Sequence, residues 1–107
     1  MTLNSKQKGN RFEQFCAKLF RAYGFTCLTS REESKRLDDL GVDLVTNAPY
    51  NVQCKHVERL STSYHQIINE MPTDKTPLIF HKRNNLGTVV VMRLIDFEEL
   101  HLQNEHK

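Results

Sequence analysis

Two short stretches carry residue types suited to hydrolytic chemistry. In Gly41-Val42-Asp43-Leu44 a carboxylate stands between apolar neighbours, and in Val52-Gln53-Cys54-Lys55 an amide and an ammonium alternate with apolar positions. Successive side chains of a strand point to opposite faces, so Gln53 and Lys55 share one face while Asp43 points away from Val42 and Leu44. Two adjacent strands would present Asp43, Gln53 and Lys55 on one side of a sheet. A hard divalent cation such as Mg²⁺ takes oxygen ligands of this kind, with a phosphate substrate completing its shell. Asp43 is then the main ligand and Gln53 a neutral oxygen ligand. Lys55 orients or deprotonates the attacking water and offsets charge developing on phosphate. Glu13, upstream, offers a second carboxylate.

The elements that must position these groups follow from hydrophobic spacing. Phe12, Phe15, Cys16, Leu19, Phe20 and Tyr23 form one apolar stripe, which predicts a helix from about Gly9 to Tyr23 stopped by Gly24. At about 100° per residue, Glu13 falls on the border of that stripe. Phe25 to Thr29 predicts a strand, and the charged run Ser30 to Asp39 a loop. Val42 to Thr46 and Asn51 to Val57, joined by Asn47-Ala48-Pro49-Tyr50, predict a β-hairpin. Ser63 followed by Gln66 is a capping signature for a helix spanning Ser61 to Met71, ended by Pro72. Leu78 to His81 and Thr88 to Leu94 predict two further strands, with Val89 to Met92 buried on both faces. A last helix over Phe97 to Leu102 follows. The order is α-β-β-β-α-β-β-α in one domain over residues 1–107, with about 1–8 and 103–107 frayed.

The chain has 107 residues, of which 38% are hydrophobic and 26% charged. That composition excludes long disorder, collagen-like repeats and a disulfide scaffold. No apolar run reaches the roughly 20 residues needed to cross a bilayer, so no membrane partner is expected and a cytoplasmic location is. Cys16, Cys27 and Cys54 form no CxxC pair, and the five His lack zinc-ligand spacing. The net charge of +2 hides an uneven distribution. Ser5 to Arg36 holds eight Lys/Arg against three Glu, whereas Ile95 to Lys107 holds four acids and one Lys. The basic first third points to a polyanion such as nucleic acid. His81, Lys82 and Arg83, ending a strand, are a second candidate phosphate contact.

The order of Glu13 in the first helix, Gly41-Val42-Asp43, and Gln53-Cys54-Lys55 resembles the PD-(D/E)XK nuclease superfamily. It looks most like the branch of archaeal-type Holliday-junction resolvases and Mrr-like endonucleases, and the likeness covers almost the whole chain. Val42 stands where the motif's proline would be, and Gln53 replaces its second hairpin carboxylate, a variant the Mrr-like branch shares. The resemblance implies an α/β, restriction-endonuclease-like fold with a central mixed β-sheet flanked by helices. It implies a metal site of Glu13, Asp43, Gln53 and the Cys54 backbone carbonyl, with Lys55 beside it and Mg²⁺, or Mn²⁺ in its place, as cofactor. Ser30, Arg31, Ser34, Lys35 and Arg36 then become candidate DNA contacts. The implied activity is endonucleolytic cleavage of branched DNA such as a four-way junction. Symmetric cutting needs two sites and hence a homodimer. A compact phage or mobile-element enzyme would fit. The alternatives are an Mrr-like nuclease on linear duplex and a non-catalytic nucleic-acid-binding module.

Overall fold

In the computed structural model, residues 4–105 are described, with side chains described through residue 102. The first helix, α1 (Ser5–Ala22), begins at Ser5 rather than Gly9 because of a capping box. Asn4 Oδ1 accepts from the Gln7 N–H at 2.9 Å, and Gln7 Oε1 accepts from the Asn4 N–H at 3.3 Å. Residues 5–8, expected to fray, are therefore helical. The other end closes on Gly24, whose φ of +99° suits glycine. The Gly24 N–H donates to the Arg21 carbonyl at 3.0 Å and the Phe25 N–H to the Phe20 carbonyl at 3.1 Å. This satisfies the last turn and packs Phe25 beside Phe20.

The chain then forms β1 (Cys27–Thr29), which pairs antiparallel with β2 (Leu44–Thr46), Thr29 opposite Leu44. The stretch between them is not the expected loop. It forms two short helices, α2 (Ser30–Glu33) and α3 (Lys35–Asp39). Ser34 caps the second, its Oγ accepting from the Leu37 N–H at 3.2 Å.

The expected hairpin is also corrected. The strand after the turn, β3 (Tyr50–His56), pairs parallel with β4 (Thr76–Lys82), placing Gln53 opposite Ile79 and Lys55 opposite His81. A parallel pair needs a crossover, and α4 (Tyr64–Glu70) supplies it. The reason is burial. β4 offers Leu78 and Phe80 to the core under α1 and Ile79 to the core under α4, so β3 gains apolar cover on both faces. Between β2 and β3 the Asp43 N–H donates to the Val52 carbonyl at 2.8 Å. β5 (Val89–Val91) runs antiparallel to β4, giving a mixed sheet flanked by helices.

The run Val89 to Met92 is not buried as expected: Val89 and Val90 are 52% and 54% exposed. No residue of the described chain pairs with the outer edge of β5. The chain ends in α5 (Leu94–Glu105), which starts before Phe97 and runs beyond Leu102.

The α4 cap makes a local test. Ser63 Oγ accepts from the Gln66 N–H at 3.2 Å, while the Gln66 amide donates forward to Glu70 Oε1 at 3.1 Å rather than back to the cap. Ser63→Ala removes the only side-chain acceptor of that pair, so a loss of about 1 kcal/mol is expected. It should appear as a lower urea midpoint at unchanged m-value.

Candidate active site

Asp43 is fixed through both its backbone and its side chain. Its N–H is held by Val52, its carbonyl accepts from the Ser30 N–H at 2.8 Å, and its Oδ2 accepts from the Cys54 N–H at 2.7 Å. Among the described residues no hydrogen bond engages Oδ1. The carboxyl is pushed up to about 7, mainly by burial. The charges of Glu13 and Asp38 add to this; the Cys54 N–H and the Lys55 ammonium oppose it. Glu13 stands at the edge of the core as its helical angle predicts. Its carboxyl is also raised, by burial first, against the pull of Arg31 and Lys55. Glu13, Asp43 and Lys55 are thus close enough for their charges to act on one another.

Gln53 and Lys55 line one face of β3 in a cavity of about 460 Å³ that Asp39, Gly41, Ile67 and Glu70 also border. Gly41, at φ +79°, turns the chain from α3 into Asp43. A Cβ there would sit 3.7 Å from Gln53 Oε1, in ordinary contact, so it is the backbone angle that favours glycine. In a strand the N–H and C=O of one residue face the same edge. The Cys54 carbonyl therefore shares the edge on which its N–H meets Asp43. Its side chain lies on the opposite face, where Cys16 and burial hold the thiol well above its ordinary range. All three cysteines are free and buried.

These donors suit a hard cation: two carboxylates, both raised mainly by burial, an amide oxygen and a backbone carbonyl. Among the described residues no three His, Cys, Asp or Glu side chains gather as a metal-binding group. An ion held here would depend on Gln53 and the backbone for its remaining oxygens.

The predicted DNA contacts divide. Ser30 is fully buried, its Oγ donating to the Val42 carbonyl at 2.6 Å, so it braces Asp43 and cannot reach a phosphate. His81 is buried too, its ring held between the Tyr64 hydroxyl and the Val57 carbonyl, both at 2.8 Å. Ser34 serves as a helix cap, and Lys82 Nζ donates to the Leu86 carbonyl at 2.8 Å. Arg31 pairs with Glu13 through Oε1. Lys35 pairs with Asp39 across one helical turn at 3.2 Å, an exposed pair of little energetic weight. Arg36 and Arg83 are exposed. Arg11 and Lys18, which the sequence singles out only as part of its basic first third, join Asn10, Gln14 and Arg31 around a second cavity of about 460 Å³. Their spacing of seven, two helical turns, was the available signal.

A fold of this kind, with acids and a lysine gathered at the β2–β3 junction, defines a nuclease of the restriction endonuclease class. The family model Mrr_cat, described as restriction endonuclease, matches residues 5–70. The chain belongs to that family, and its substrate is accordingly DNA. Glu13, Asp43, Gln53 and Lys55 all lie inside the match. Neither the curated proteins nor the solved structures contain a match.

Proposed function

We propose that the chain is an endonuclease that uses Mg²⁺, or Mn²⁺ in its place, to hydrolyse phosphodiesters of branched DNA, working as a homodimer in the cytoplasm. The reading rests chiefly on one observation. Asp43 is anchored by the Cys54 N–H, is largely buried, and faces the charges of both Glu13 and Lys55. Asp43, Glu13, Gln53 and the Cys54 carbonyl would hold the ion. When bound, the ion supplies activation of water and neutralisation of phosphate charge. Lys55 orients the water and opposes charge growing on the phosphate. Ser30 keeps Asp43 in place through its N–H and, by way of Val42, its hydroxyl. Lys18, Arg31, Arg36 and Arg83 supply phosphate contacts, which position the duplex without reading its sequence.

The resemblance to junction resolvases favours branched DNA, and the match to a restriction endonuclease family favours a second reading, cleavage of linear duplex. Rates on four-way junction, flap and linear duplex at matched concentration separate them. A junction cut fastest by paired nicks, with no product in EDTA, is the expected result. Equal rates on linear duplex would replace the first reading with the second. Salt-sensitive DNA binding with no Mn²⁺ uptake by calorimetry would leave a binding module.

A further inference from the structure

Among the described residues most of α5 has no seat; Asp96, beside Thr76 and Pro77, is the exception. Leu94, Ile95, Phe97 and Leu102 are all more than half exposed, and at about 100° per residue they span an arc of about 160°, one broad face of the helix. Such a face needs cover. Between these residues stand Asp96, Glu98 and Glu99.

The same chain carries a groove of complementary character. Arg11, Phe12, Phe15, His56, Lys82 and Gly87 enclose about 410 Å³ with an apolar floor and a cationic rim. Its own α5 starts elsewhere. β5 runs antiparallel to β4 with Val91 opposite Ile79, so the chain leaves β5 toward the Thr76 end of the sheet, where Asp96 lies beside Thr76 and Pro77. The groove lies at the Lys82 end, about 20 Å away at strand rise.

We propose that a second copy of this chain fills the groove with its α5, the two copies exchanging helices about a twofold axis. Charge decides the occupant. Packing α5 on α5 would set the exposed Glu98 and Glu99 against their own copies, whereas the groove offers Arg11 and Lys82. A twofold exchange makes both contacts identical and leaves neither helix bare. The inference rests on the homodimer reading but not on the nuclease reading.

Sedimentation equilibrium of the full chain tests it. Wild type is expected to dimerise. Glu98→Lys/Glu99→Lys and Arg11→Glu/Lys82→Glu, each alone, should weaken the dimer by at least about a hundredfold. An equimolar mixture of the two variants should dimerise again, because one contact has both charges reversed and the other is wild type. Circular dichroism checks the fold, and the single changes Glu99→Lys and Lys82→Glu carry the same comparison if a double variant is disturbed. Variants that stay dimeric, or a mixture that stays monomeric, would overturn the helix exchange while leaving dimerisation elsewhere intact. A wild-type chain that is monomeric at about 100 μM, well above an ordinary micromolar dissociation constant, would overturn both readings.

Discussion

Asp43→Asn is expected to abolish metal-dependent cleavage and, at the same time, to stabilise the metal-free protein at alkaline pH. The first effect follows from losing the anchored carboxylate of the site. Charge stabilisation by a bound ion is worth several kcal/mol, so a fall of about a thousandfold or more is expected. The second follows from the carboxyl being pushed up from 3.8 to about 7. Between those values the folded chain holds a proton that the unfolded chain has lost. Stability that is complete below pH 3.8 therefore drains away as pH rises through 7, by at most about 4 kcal/mol. Asn keeps an oxygen for the Cys54 N–H and never ionises, so the variant escapes this loss. Melting curves in EDTA at pH 5 and pH 8.5 should show the variant gaining on wild type at both and clearly more at the higher pH. Mn²⁺ should raise the melting temperature of wild type alone. A variant that cuts DNA at the wild-type rate would remove Asp43 from the chemistry.

Lys55→Ala should separate binding from catalysis. The ammonium opposes the raised carboxyls of both Asp43 and Glu13, and in the proposed reaction it orients the water and offsets charge on the phosphate. Groups in such roles contribute about 10²- to 10⁴-fold. Single-turnover rates at saturating DNA should fall by that factor, while DNA affinity changes only a few-fold, because one phosphate-facing charge among several is lost. Lys55→Arg should restore little: a planar fork does not replace a compact point charge. A loss confined to affinity would make Lys55 a phosphate contact instead.

Much of this arrangement is legible in the sequence, and the parts that are not share a physical cause. The stripe from Phe12 to Phe20 fixes the first helix and brings Glu13 to the core edge, because both depend on angles within one helix. Alternation puts Gln53 and Lys55 on one face for the same local reason. Strand partners are different. Nothing between Val42 and Val57 reveals that β3 pairs with β4 along its whole length and meets the chain before β2 through the Asp43 N–H. The hairpin expectation fails for that reason. Ser30 looks like a loop serine because its acceptor, the Val42 carbonyl, is twelve residues away. His81 looks basic and accessible until Tyr64 and Val57 close over it. Val89 and Val90 read as core because their types suit it, although the described chain leaves both about half exposed.

The parallel pairing of β3 with β4 separates two meanings of the word domain. The unit recognised as a family runs from residue 5 to residue 70 and contains Glu13, Asp43, Gln53 and Lys55. The strand that keeps Gln53 and Lys55 extended begins at Thr76, past the end of that unit. A fragment cut at Glu70 would thus keep every residue of the proposed site and lose the template that aligns two of them. Heredity, as the family match records it, stops short of the smallest piece of chain that mechanics requires.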